Sequence, residues 1–207
     1  MNSILITSPH PDDAVLGCGG TIIKSIQENI QVYVIYFTDG RACYTYLNIE
    51  SNLTPSDVAA GRKKEAIEGC KILGIPESNL KFLGIWDREL NKPKNFDKAI
   101  IEVKELIQKI KPYRIFGPVF KNRHIDHQAT HDIIIEVLKE HPDIEFYMYG
   151  LQKSIGKSDL KIDITDVREQ KAKAMFIHEI ELVYEKDIYK ILAKQTKERF
   201  RLYKKTI

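Results

Sequence analysis

The sequence predicts a layered α/β protein, a mostly parallel sheet with helices on both faces. Three observations predict it. Short runs rich in isoleucine, valine and tyrosine alternate with longer amphipathic segments. The clearest run, Gln31 to Phe37 (QVYVIYF), lacks a clean period of two, as expected of a parallel strand covered on both sides. Ionisable residues gather just after such runs, where open α/β sheets bind ligands.

Asn2 to Thr7 is short, apolar and isoleucine-rich, so it reads as a buried strand. Gly20 to Asn29 reads as a helix, with Ile22, Ile23 and Ile26 inward and Lys24, Gln27 and Glu28 outward. The strand at Gln31 to Phe37 ends at Thr38-Asp39-Gly40. Arg41 to Pro55 is polar and irregular, with Tyr44, Tyr46, Leu47 and Ile49 among its larger side chains. It reads as a long loop at the same sheet edge as the first strand's end, and loops of that length are often functional.

Ser56 to Leu73 reads as a helix capped by Ser56 or Asp57 and stopped by Gly74. Leu80 to Leu83 and Arg114 to Phe116 read as strands on either side of an amphipathic helix, Phe96 to Ile110, that stops at Lys111-Pro112. His127 to Leu138 follows as a helix, then strands at Ile144 to Tyr149 and Leu160 to Ile164. Thr165 caps a helix from Asp166 to His178, and Asp187 to Tyr203 reads as a last helix whose basic end is a solvated face.

The 207 residues suit one domain, expected to span 1–207. A net charge of +3 is too small to point to nucleic acid or an anionic membrane as partner. No apolar stretch approaches the roughly 20 residues of a membrane helix. The start, MNSILITSPHP, does not read as a signal peptide. Cys18, Cys43 and Cys70 form neither a disulfide framework nor a CxxC pair, so a reducing cytoplasm is the simplest expectation.

The chemistry lies in two segments. Ser8 to Asp13 reads S-P-H-P-D-D after the first strand, and P-V-F-K-N-R-H-I-D-H-Q-A-T-H follows the strand ending at Phe116. Of six histidines, four fall there: His10, His124, His127 and His131. Adjacent carboxylates repel unless something positive holds them. Two imidazoles and one carboxylate from neighbouring strand-end loops would suit a catalytic zinc with an open position, and ferrous iron suits the same ligands. A second carboxylate beside them could act as general base. Gly17, Gly19 and Gly20 do not form a dinucleotide fingerprint, because position 22 is Ile22 and two carboxylates precede them. They read as allowing a close approach of the helix start to the loop.

S-P-H-P-D-D-A-V-L-G-C-G-G-T-I resembles the N-terminal signature of the LmbE/PIG-L family of zinc-dependent N-deacetylases, and R-H-I-D-H-Q-A-T resembles its second metal motif. Thr38-Asp39-Gly40, Arg62 to Ala66, Phe82-Leu83-Gly84 and Lys161 to His178 resemble further family segments, so the likeness runs from Ile4 to about His178. It implies a Rossmann-like α/β fold. It implies His10, Asp13 and His127 as zinc ligands and Asp12 as general base. His124 would assist the intermediate or the leaving amine, with Asp126 as its orienting carboxylate. The implied substrates are N-acetylglucosamine conjugates, small molecules that release acetate and a free amine, and relatives are commonly homo-oligomers. Ala14, Ile125 and the H-E-I-E run at His178 depart from the usual pattern.

Remaining residues keep two readings each. Asp39 either shapes the site or simply ends its strand, Arg62 either contacts substrate or pairs with Glu65, and His178 either lines the pocket or does not. His131 reads as lying behind the ligands or facing solvent, and His141 as a surface residue. Another metal-dependent hydrolase, for instance on phosphate esters, and a noncatalytic sugar- or metal-binding module are the alternative functions.

Overall fold

The structure, a computed structural model, describes residues 2–120, 124–150 and 155–204. Its elements are β1 (Ser3–Ser8), α1 (Asp13–Gln27), β2 (Gln31–Thr38), α2 (Cys43–Tyr46), α3 (Pro55–Leu73), β3 (Leu80–Ile85), α4 (Pro93–Ile110), β4 (Arg114–Pro118), α5 (Ile125–Leu138), β5 (Glu145–Tyr149), β6 (Leu160–Asp163), α6 (Arg168–Met175), α7 (Glu179–Ala193) and β7 (Lys197–Leu202). The sheet runs β3-β2-β1-β4-β5-β7-β6. The first five strands are parallel, and β7 is antiparallel to both its neighbours.

Strand order reverses between β1 and β4, which pair through Ile4–Arg114, Leu5–Ile115 and Ile6–Phe116. Connections leave in opposite directions there and open a crevice beyond the carboxyl ends. Two cores flank the sheet. Ile4 and Ile6 join one with α1, α3, α6 and α7, whereas Leu5 joins the other with α4 and α5. This is the side-to-side alternation of a strand buried on both faces.

Two helix starts differ from expectation for identifiable reasons. α1 begins at Asp13, seven residues before Gly20, so all three glycines lie inside it. Glycine costs helix propensity, but here it allows contact. A Cβ at Gly17 would lie 2.5 Å from Tyr149 Cδ2, and one at Gly19 would lie 2.9 Å from Lys171 Cγ. α3 begins at Pro55, with Thr54 rather than Ser56 or Asp57 as cap. Asp57 N donates to Thr54 Oγ1 at 3.2 Å, and Thr54 N donates to Asp57 Oδ2 at 2.9 Å. Thr54 and Asp57 thus satisfy each other's free groups. The 41–55 loop also contains the short α2.

The largest correction is at the C-terminal end. The helix expected over Asp187 to Tyr203 stops at Ala193, and Lys197–Leu202 forms β7 between β5 and β6. Glu198 and Phe200 are buried while Lys197, Arg199 and Arg201 are exposed, a period of two that a strand satisfies and a helix does not. The buried Glu198 accepts from Gly20 N at 2.8 Å, Thr21 N at 2.7 Å and Lys171 Nζ at 2.7 Å. It therefore ties β7 and α6 to α1. The basic residues Lys197, Arg199 and Arg201 share the exposed face of a strand, not a helix face.

Candidate active site

The turn after β1 is held by its own short side chains. Ser8 Oγ donates to His10 O at 2.7 Å and accepts from Ala14 N at 2.9 Å. Pro9 O accepts from Thr38 N at 2.9 Å and Thr38 Oγ1 at 2.8 Å, which fixes the turn to the end of β2. Asp12 sits at the N-cap of α1 without capping it, so its carboxylate is available elsewhere. Asp13 opens the helix, and its Oδ2 accepts from His10 N at 2.9 Å.

Asp13 Oδ2 also lies 3.2 Å from His10 Nδ1 and 3.2 Å from His127 Nε2, and these two nitrogens are 3.2 Å apart. The two distant motifs thus meet in a triangle of one oxygen and two nitrogens. A tetrahedral ion with bonds of about 2.0–2.1 Å spaces its ligands by about 3.3 Å, so the donors fit by type and by separation. One nitrogen each of His10, His124 and His127 also falls within 4.8 Å of the others, so His124 borders the same point.

Burial opposes charge on His10, but hydrogen bonds with Asp126 and Asp13 outweigh it and hold the imidazole well above the usual histidine range. Burial opposes charge on Asp13 as well, yet His127 and His10 hold it well below the usual carboxylate range.

His124 caps α5, its Nδ1 accepting from Asp126 N at 3.3 Å. That bond leaves the ring proton on Nε2. Burial, then the nearby His10 and His127, push its pKa down to about 4, so the ring is neutral at pH 7. The fully buried Asp126 carboxylate was expected to orient His124. Its Oδ2 is instead 3.4 Å from His10 Nε2 and 3.8 Å from His124 Nδ1, a nitrogen already occupied as an acceptor. Asp126 steers His124 through its backbone N–H and stands under His10 with its carboxylate. It accepts in turn from Arg88 N at 2.6 Å and Leu90 N at 3.4 Å.

Arg62 does not pair with Glu65 as one reading had it. Its guanidinium, 2% exposed, donates to Asp12 Oδ1 at 3.0 Å and Gly40 O at 3.0 Å, and it pairs with Glu181. Tyr189 Oη donates to Asp12 Oδ2 at 3.3 Å, so both oxygens of Asp12 are held. Burial pushes the Glu181 carboxyl up to about 7, against the pull of Arg62.

A cavity of about 330 Å³ opens over these groups, within the range of small-molecule sites. His10, Asp12, Asp13, His124, His127 and Arg62 line it. Asp39 and His178 do not. Asp39 accepts from Arg41 Nε at 2.8 Å and Nη2 at 2.5 Å. His178 is fully buried beneath the site, its Nε2 3.2 Å from where a Cβ at Gly69 would stand. His131, on α5, is buried, with its Nδ1 3.1 Å from Pro118 O.

The sequence reading missed two parts of the wall. Asp87, in the loop after β3, accepts from Gly40 N at 2.6 Å and Ala42 N at 3.0 Å, and the strand-end rule pointed to that loop. Glu181, Tyr184, Glu185, Ile188, Tyr189 and Leu192 form one stripe of α7 at helical spacing. The helix expected here began at Asp187, whereas α7 begins at Glu179, so Glu181, Tyr184 and Glu185 lay outside the expected helix.

The GlcNAc-PI de-N-acetylase (PIG-L) family pattern matches residues 5–138, β1 through α5, which carry both histidine loops. The diacetylchitobiose deacetylase of Thermococcus kodakarensis is 28% identical over 195 residues, covering 86% of this chain and 70% of its own. A probable N-acetyl-α-D-glucosaminyl L-malate deacetylase 2 of Bacillus cereus is 26% identical, covering 84% of this chain and 81% of its own. Among solved structures, the N,N'-diacetylchitobiose deacetylase of Pyrococcus horikoshii superposes with a TM-score of 0.79 at 23% identity, covering 98% of this chain and 84% of that one. With the fold shared and more than half of the chain matched, this protein belongs to the PIG-L family of de-N-acetylases.

Proposed function

We propose that the protein is a metal-dependent hydrolase that removes the N-acetyl group from an N-acetylglucosamine-type conjugate. Water and the amide give acetate and a free amine. The observation that carries this reading is the triangle of His10 Nδ1, Asp13 Oδ2 and His127 Nε2 beside Asp12, at the floor of a cavity. The deacetylase relatives support it.

These three residues would hold zinc, whose borderline character suits imidazole and carboxylate. Once bound, the ion supplies a Lewis acid and eases deprotonation of water near neutral pH. Asp12 takes the proton of the attacking water on its carboxylate, which Arg62 and Tyr189 keep aimed into the cavity, and gives it to the amine nitrogen as the C–N bond breaks. His124, neutral with its proton on Nε2, donates to the oxygen that gains charge as the amide carbonyl is attacked. Arg62 and Asp87 stand on the wall where sugar hydroxyls would lie.

The test is metal content per chain and acetate release from N-acetylglucosaminides, for wild type and His127→Ala side by side. About one zinc or iron per wild-type chain, lost with the activity in the variant, supports the reading. A wild type that binds no added zinc overturns it.

A further inference from the structure

Arg88 holds a left-handed backbone conformation that strains any side chain but glycine. Among the described residues, four other than glycine have positive φ: Asn29, Asn48, Arg88 and Lys111. Asparagine tolerates that region, and Lys111 closes α4 at its C-cap, where a left-handed residue is ordinary. Arg88, at φ +64, stands third in the turn that Glu89 N closes on Trp86 O, a place where glycine would serve without strain. Strained residues of this kind collect at functional sites.

Its backbone contributes one contact, the N–H to Asp126, which any residue could make. The side chain is therefore what glycine would lack. It lines the mouth of the cavity, with its guanidinium 4.0 Å from the ring centre of Tyr46 on α2. Stacking on an aromatic ring orients a guanidinium while leaving its N–H edge open. Among the described residues the cavity's other guanidinium, Arg62, is occupied by Asp12, Glu181 and Gly40 O. Arg41, nearby over Trp86, is occupied by Asp39. Among the described residues Arg88 makes no ion pair. Of the cavity's acids, Asp87 accepts two backbone N–H groups and Glu181 pairs with Arg62.

Resting on the deacetylase reading above, we propose that Arg88 selects conjugates whose aglycone carries an anionic group, a carboxylate or a phosphate, at the mouth of the cavity. A guanidinium takes either in the same two-pronged geometry. The acetyl-bearing sugar lies at the floor and the anion at the rim. Leu16, Tyr184 and Ile188 offer no further cation to hold it.

The experiment compares kcat/KM for acetate release from N-acetylglucosaminyl malate, N-acetylglucosamine 1-phosphate and methyl N-acetylglucosaminide. Wild type, R88G and R88E are used, each loaded with zinc, and each variant's melting temperature is measured. Wild type is expected to favour at least one anionic substrate over the neutral glycoside by about tenfold, the worth of one charge-assisted bond. The preferred anion identifies the source. R88G is expected to erase that ratio and R88E to invert it, while R88G melts no lower than wild type because glycine relieves the backbone. A wild type indifferent to aglycone charge, or a ratio unmoved in both variants, overturns the proposal and leaves the deacetylase reading standing. No acetate release from any of the three substrates overturns both.

Discussion

Arg62 Nη2 stands 3.0 Å from Asp12 Oδ1, fifty residues away along the chain. The contact joins the middle of α3 to the turn after β1, and Glu181 on α7 completes it from a third element. A guanidinium this buried stays charged because two carboxylates share it. Asp12 therefore sits in a fixed direction before any substrate arrives, the condition under which a general base works best.

Arg62→Lys tests that geometry. A lysine keeps the charge but reaches one partner where the guanidinium reaches three. The expected outcome is a fall in kcat of about tenfold or more with the metal retained. Tyr189→Phe removes only the hydroxyl on Asp12 Oδ2, so a smaller fall in kcat with KM little changed is expected. Its stability cost is about 1 kcal/mol, read from a urea midpoint.

Asp12→Asn separates holding the metal from moving the proton. The substituted amide keeps the shape of the carboxylate but cannot accept a proton. Metal content is expected to match wild type, while kcat falls roughly 10²–10⁴-fold. Equal loss of metal and turnover would move Asp12 from base to ligand.

The sequence made the site more legible than the chain's end. His10, Asp12, Asp13, His124 and His127 stood out because their loops follow strands, and parallel topology brings such loops to one edge. β7 was hidden because K-E-R-F-R-L reads as charged and helical until Glu198 and Phe200 are seen to alternate inward. Glu198 could not be placed inside without knowing that Lys171 and two α1 amides would meet it. One of the two readings of Arg62 paired it with Glu65, its neighbour on one helix, whereas the buried guanidinium turns to Asp12 and Glu181, far away in sequence. Long-range charge pairing leaves no periodic trace.

The Lys171–Glu198 pair predicts asymmetric stability costs. Both side chains are essentially fully buried, at 1% and 2% exposure. Lys171→Met strands the Glu198 carboxylate and is expected to cost roughly 3–5 kcal/mol. Adding Glu198→Gln, which keeps an acceptor for the Gly20 and Thr21 amides, should recover part of that loss. Urea unfolding of the two variants measures the difference.

His178 and Glu65 should tilt the stability–pH curve in opposite directions. Burial pushes the His178 pKa down to about 4, below its ordinary 6.5. Between those values the unfolded chain binds more protons than the folded one, so stability is complete above pH 6.5 and drains as pH falls toward 4. The full span is worth about 3 kcal/mol at most. Burial pushes Glu65 up to about 7 from 4.5. There the folded chain binds more protons, so stability drains as pH rises from 4.5 through 7. His178→Asn should flatten the acid-side loss, and Glu65→Gln should raise stability at pH 7 relative to pH 5. Urea midpoints from pH 4 to 8 test both. If His178→Asn leaves the acid-side slope unchanged, the histidine is not buried neutral in solution.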